Sequence, residues 1–135
     1  MQKGLLLQVL FLKSSKMAKH LEIGQLGESL ALQLLERKGY EILETNWRFS
    51  RAEIDIVAMD GDILVFVEVK TRSYDYFGKP DAFITDHKRK LLLDAAAMYM
   101  QEIQHDWEIR FDVISVLLEE NREPFLQHFE DAFFA

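Results

Sequence analysis

The residues best suited to chemistry in this 135-residue chain are Asp55, Glu68 and Lys70. The run Ile63-Leu64-Val65-Phe66-Val67 is apolar at every position, the pattern of a strand covered on both faces, yet it continues directly into Glu68-Val69-Lys70. Side chains two apart on a strand share a face, so Glu68 and Lys70 leave it on the same side. Charges at the end of a buried strand are costly unless they are paired or hold an ion. Upstream, Asp60-Gly61 is a two-residue type I′ hairpin signal, which sets Met59 against Asp62, Asp55 against Phe66 and Glu53 against Glu68. That register predicts Glu53, Asp55, Glu68 and Lys70 on one face, with Asp55 and Glu68 as diagonal neighbours roughly 7 Å apart at the backbone. A three-residue turn would shift the register by one and separate them.

Carboxylates gathered this closely raise one another's pKa unless a divalent cation neutralises them. The chain has no cysteine, so any metal must sit on oxygen or histidine ligands. His20, His87, His105 and His128 show no metal-ligand spacing and read as surface or packing residues. Mg²⁺ or Mn²⁺ on carboxylate oxygens is the fitting choice. With such an ion as Lewis acid and Lys70 steadying developing charge, the constellation is equipped to cleave a phosphodiester. The plainer alternative is a Glu68–Lys70 ion pair with Asp55 capping a strand end. Glu28 falls at the edge of a helical apolar stripe, above Ala31 and Leu35, where it either reaches the site or meets solvent.

The elements that must position these groups are legible as pattern. Ile23, Leu26, Gly27, Leu30, Ala31, Leu34 and Leu35 recur at helical spacing, predicting a helix over Leu21 to Lys38 that Gly39 stops. Tyr40 to Phe49, Glu53 to Met59 and Ile63 to Lys70 read as three strands. Ser73 to Asp86, with Gly78 and Pro80, reads as a loop. Thr85 then caps a helix running to about Glu102. Glu108 to Leu117 is a fourth strand and Pro124 to Phe129 a short fifth. The order α-β-β-β-α-β(-β) indicates an α/β layer structure with a mixed sheet and flanking helices. Residues 17–135 form one expected domain. Residues 1–16 form an N-terminal extension, whose apolar stretch Leu5 to Leu12 is far shorter than the ~20 residues of a bilayer span and lacks the small residues of a signal cleavage site. Met17 is the expected natural start.

The formal net charge is −7, yet residues 1–100 hold 14 basic and 14 acidic side chains, whereas residues 101–135 hold 2 and 9. The acidity is therefore confined to the last quarter. Arg48, Arg51, Arg72, Lys88, Arg89 and Lys90 form the candidate nucleic-acid-binding set, against the alternative of solvated faces. Lys88, Arg89 and Lys90 open a helix whose dipole disfavours cations, and either a bound phosphate or Asp86 with solvent must compensate. Trp47, Tyr74, Tyr76 and Phe77 are packing residues or, in the loop from Tyr74 to Phe77, platforms for unpaired bases.

Taken together, Gly24-Gln25-Leu26-Gly27-Glu28-Ser29-Leu30-Ala31, Asn46-Trp47-Arg48, Glu53-Ile54-Asp55-Ile56, Val65 to Arg72 and Arg110-Phe111-Asp112-Val113 resemble the YraN family of bacterial proteins, from Lys19 to the C-terminus. That family is similar to Holliday-junction resolvases and to the PD-(D/E)xK nucleases. The resemblance implies a restriction-endonuclease-like core, with Asp55 and Glu68 as metal ligands, Lys70 as the catalytic lysine and Glu28 as a helix carboxylate near the metal. One departure is Ala52, where the family usually has Gly before its Glu-Ile-Asp. The expectation is a cytoplasmic metal-dependent nuclease acting on branched or damaged DNA, with homodimerisation allowed and no membrane. A non-catalytic nucleic-acid-binding or DNA-processing-complex module on the same fold is the alternative, and a protein-interaction domain using the acidic C-terminal quarter is the third.

Overall fold

The computed structural model describes residues 16–73 and 85–132. Helix α1 spans Lys16–Arg37, β1 Glu41–Phe49, β2 Ala52–Asp60, β3 Ile63–Ser73, α2 Asp86–Ile103, β4 Ile109–Leu118 and β5 Phe125–Phe129. The element order is the expected one, although α1 begins a turn earlier than its apolar pattern. Of the expected extension over residues 1–16, Lys16 opens α1 and residues 1–15 lie outside the described residues, as does the aromatic loop from Tyr74 to Phe77. Among the described residues no helix is long and apolar enough to cross a membrane.

The strands form one mixed sheet in the order β1-β2-β3-β4-β5. All neighbours are antiparallel except β3 and β4, which run parallel. A parallel pair needs a crossover, and α2 supplies it between these two strands. Each face of the sheet carries one helix. Under α2 lie Ile54, Val57, Leu64, Phe66, Phe111 and Val113 with Leu92, Ala95, Ala96 and Tyr99. Under α1 lie Ile56, Ala58, Val65, Val67, Ile114 and Val116 with Leu26, Leu30, Ala31 and Leu35. The central strand β3 is thus covered on both sides, as its unbroken apolar run requires.

Chain punctuation fixes the elements. Gly39, at φ +88°, ends α1, with its N–H donating to Glu36 O and the Tyr40 N–H donating to Leu35 O, both at 3.0 Å. This paired closure satisfies carbonyls the last helical turn leaves open. Thr85 caps α2 as expected, its Oγ1 accepting the Lys88 N–H at 3.1 Å. The β2–β3 turn corrects the sequence reading. Asp60 pairs with Ile63, so the turn residues are Gly61 and Asp62 rather than Asp60 and Gly61. Only Gly61 has a positive φ, +60°, which is the type II′ arrangement with glycine first. The register moves by two residues, so parity is kept, and Asp55 is aligned with Glu68 instead of lying on its diagonal.

Gly27 sets how closely α1 approaches the sheet. A Cβ at this position would collide with the Thr71 side chain of β3, coming within 2.9 Å of its Cβ and 3.0 Å of its Cγ2. The absence of a side chain there lets Glu28 descend toward the strand ends.

Candidate metal centre

The candidate site begins where β2 and β3 part. Their backbone register runs from Asp60–Ile63 to Ile56–Val67 and stops. One step further, the Asp55 carboxylate takes over, with Oδ2 accepting the Val69 N–H at 2.8 Å. Asp55 is thereby held in the fork between two strands. The neighbouring ladder is disturbed at the same level. β1 pairs Thr45 with Ile56 and Trp47 with Ile54, skipping Asn46 and Asp55. Asn46 adopts φ +51°, a left-handed conformation that asparagine tolerates better than most residues.

This irregularity breaks the two-residue alternation of β2. Ile54 and Val57 both belong to the core under α2, while Ile56 belongs to the core under α1. Glu53, between Ala52 and Ile54, is consequently turned toward the α1 side. The expected gathering of Glu53 with Glu68 on one face does not form. Instead Glu28, Glu53 and Asp55 offer carboxylate oxygens that all lie within 4.8 Å of one another. Asn46 Nδ2 donates to both oxygens of Glu28 at 3.1 Å, and Arg48 Nε donates to Glu53 at 2.8 Å. Of the expected catalytic residues, Glu28 therefore joins Asp55 directly.

On the α2 side, Glu68 is buried at 6% exposure. Its Oε1 is reached by Lys88 Nζ at 2.8 Å and by Lys70 Nζ at 3.3 Å. Burial, then the negative charge of Glu68, pushes the Asp55 carboxyl up to about 8, and Glu28 adds to the rise. The Val69 N–H and Lys88 oppose it but do not prevail. Burial and the hydrogen bond with Lys88 lower the Lys70 pKa, against the pull of Glu68. Burial also works against the Lys88 charge, but its hydrogen bond and ion pair with Glu68 outweigh that and raise its pKa. Four carboxyl groups, Asp55 among them, thus meet two lysines and one arginine, a donor set of hard oxygens. Such a set suits Mg²⁺ or Mn²⁺.

The basic residues fall at the same end of the sheet. β1 pairs Arg48 with Glu53 and Phe49 with Ala52, which puts Arg48 and Arg51 at the end of the sheet where Asp55 sits, and β3 runs on toward that end past Lys70 to Arg72. The first turn of α2, with Lys88, Arg89 and Lys90, arrives there through the Lys88–Glu68 pair. Arg89 lies 3.7 Å from Asp86, and Arg72 donates to the Thr71 carbonyl at 3.0 Å. Lys88 is therefore engaged by protein, which answers the dipole problem through Glu68 rather than through Asp86 alone. By contrast Glu102, Asp106 and Glu108, from the acidic quarter, occupy the end of α2 and the entry to β4, at the other end of the sheet.

Sequence reasoning missed three features. Asn46 stands in the sequence as part of a motif, and nothing in its spacing announces a left-handed residue gripping Glu28. Gly27 fits the pattern as one apolar helix position, although a glycine inside a strong helical pattern is itself a signal of close approach. The third is a buried network around Asp112, which is fully buried. Arg110 Nε and Nη2 donate to its two oxygens at 2.9 and 3.0 Å, His128 Nε2 lies 2.7 Å from Oδ2, and the Asp131 N–H donates at 3.0 Å. Despite burial, which raises it, these partners hold the Asp112 carboxyl below the usual range. His128, 3% exposed in its side chain, has a packing and pairing role.

The class defined so far is a mixed α/β protein with a five-stranded sheet, one helix on each face, and a carboxylate–lysine cluster at the fork of β2 and β3. Residues 27–116 match the uncharacterised protein family UPF0102. The chain is 50% identical over 118 residues to the UPF0102 protein of Flavobacterium psychrophilum, covering 87% of this chain and 98% of that one. It is 42% identical over 118 residues to the UPF0102 protein of Christiangramia forsetii, with the same coverage of both chains. It is 40% identical over 114 residues to that of Thermodesulfovibrio yellowstonii, covering 84% and 97%. The chain belongs to the UPF0102 family, the YraN-type group that its motifs resemble.

Proposed function

We propose that this protein is a divalent-metal-dependent nuclease with a restriction-endonuclease-like core, which cleaves phosphodiester bonds of branched or damaged DNA in the cytoplasm. The observation that carries this reading is Asp55, lodged in the β2–β3 fork between the Glu28–Glu53 pair and the Glu68–Lys70 end of the central strand. Asp55 is common to both carboxylate groups and would be the shared ligand. Glu68 is its partner by resemblance, and Glu28 and Glu53 by proximity. When bound, Mg²⁺ or Mn²⁺ would supply Lewis-acid polarisation of a phosphoryl oxygen.

The remaining roles belong to the chain. Lys70, held on β3 beside Glu68, is placed to stabilise negative charge developing on the phosphate. Its burial-lowered proton affinity also eases exchange of a proton at Nζ. Arg48, Arg51, Arg72, Arg89 and Lys90 gather at the same end of the sheet and suit the phosphate backbone, whose contacts position a substrate without reading its sequence. Bases gather at this end and α2's C-terminal acids lie at the other, while Glu119, Glu120 and Glu123 follow β4 at the same end as Arg72, so a polyanionic substrate would be met by the α2 and β1–β2 side rather than by the β4–β5 turn.

The test is a cleavage assay on labelled four-way, splayed and linear DNAs with Mg²⁺, with Mn²⁺ and with EDTA, beside Glu68→Ala. Metal-dependent cleavage that disappears in Glu68→Ala is the expected result. Binding of branched DNA without cleavage under any condition would assign the non-catalytic alternative. The absence of both binding and cleavage would overturn the reading.

A further inference from the structure

We infer that Lys88 is a built-in counter-ion for the metal site, occupying the Glu68 carboxylate until a divalent cation displaces it. The inference rests on the proposed metal centre and concerns a residue that the carboxylate constellation does not include. Two ammonium groups share Glu68 Oε1, and the shorter contact comes from Lys88, at 2.8 Å against 3.3 Å for Lys70. The two differ in their freedom to leave. Lys70 belongs to the central strand and its side chain is 16% exposed, whereas that of Lys88 is 35% exposed on the first turn of α2. A lysine ends in a compact point charge on a flexible four-carbon stem, so Lys88 can swing to solvent, or to a substrate phosphate, with no movement of the helix.

Its position argues the same way. A cation in the first turn of a helix is disfavoured by the helix dipole, so the sequence carries Lys88 there against a local penalty. The gain is a second and closer ammonium for a carboxylate that is 7% exposed in its side chain, has Lys70 at 3.3 Å and carries the charge of the neighbouring Asp55 carboxyl against it. Leaving one buried partner of such a pair alone is costly, and a divalent ion that takes Glu68 restores the charge balance that Lys88 gives up. Lys88 is thus a positioning residue that acts through Glu68. Its backbone role is separate, since the capping bond to Thr85 uses only its N–H. Side-chain substitutions at this position therefore leave the cap of α2 in place.

Calorimetric titration with Mn²⁺ tests the inference on the full chain, comparing the parent with Lys88→Met, Lys88→Arg and Lys90→Gln. Lys90 is exposed one residue pair along the same turn and is the control for net charge. Removing the competing ammonium should tighten Mn²⁺ binding on the order of tenfold in Lys88→Met, the scale of one charge-assisted contact. Lys88→Arg should stay near the parent value, because it restores a competing cation. Lys90→Gln should change affinity by far less than Lys88→Met. If Lys88→Met does not fold, Lys88→Gln serves in its place. Equal tightening in Lys88→Met and Lys90→Gln would reduce the effect to overall charge and overturn the inference, as would weaker binding in Lys88→Met. No Mn²⁺ binding by the parent protein would instead overturn the metal centre on which the inference stands.

Discussion

Asp55→Asn isolates the cost of carrying a carboxyl group in the β2–β3 fork. The amide keeps the shape and an oxygen to accept the Val69 N–H but cannot ionise. In the parent the Asp55 carboxyl is raised from an ordinary 3.8 to about 8, chiefly by burial and then by the charge of Glu68. Between those two values the native state holds a proton that the unfolded chain releases, so parent stability falls as pH rises across this window and levels off above it. At ~1.4 kcal/mol per tenfold in proton affinity the ceiling of the effect is about 6 kcal/mol. Water reaching this half-buried group screens it to roughly 2–3 kcal/mol. Urea denaturation at intervals from pH 5 to pH 9, in EDTA to keep metals from the site, measures it. Asp55→Asn should gain on the parent steadily with pH and exceed its stability by roughly 2 kcal/mol at pH 9. A gap that does not widen with pH, or a variant less stable than the parent at pH 9, would refute the placement of Asp55 as a buried and undercompensated carboxyl.

Other consequences follow from the same geometry. Gly27→Ala forces a methyl group into Thr71 and should cost about 1–3 kcal/mol in urea denaturation, the range of core overpacking, with unchanged stability counting against the close approach of α1. Asp112→Ala strips a fully buried carboxylate from Arg110 and His128 and should cost about 3–5 kcal/mol, and a loss below about 1 kcal/mol would show the network to be dispensable. Replacing the exposed Arg51 and Lys90 with Gln should lower the slope of log affinity for DNA against log salt by up to ~2 while leaving Mn²⁺ binding intact, and an unchanged slope would move the phosphate contacts elsewhere.

Much of the fold could be read because each element carries its own period. The apolar stripe of α1, the unbroken run of β3 and the Thr85 cap are local signals, and the structure keeps all three. The hairpin is legible as a two-residue turn but not in its placement, because Asp60-Gly61 and Gly61-Asp62 are equally good turn pairs, both with a positive φ at Gly61, and only the absence of a positive φ at Asp60 separates them. That slip left the pairing parity untouched, which is why Asp55 and Glu68 still meet. Glu53 was misplaced for a different reason. Strict alternation carried it to the Glu68 face, whereas the distortion at Asn46 and Asp55 reverses the alternation, and a local backbone irregularity leaves no periodic trace. Lys88 and Asn46 escaped because their partners lie 20 and 18 residues away across tertiary contacts.

Whether the carboxylates around Asp55 form a divalent-metal site is decided by calorimetric titration of Mn²⁺ into the parent and Asp55→Asn. Saturable binding by the parent, abolished or weakened at least tenfold in Asp55→Asn while the variant remains folded, is the predicted result. Binding of equal strength in both proteins, or none in the parent, would contradict it.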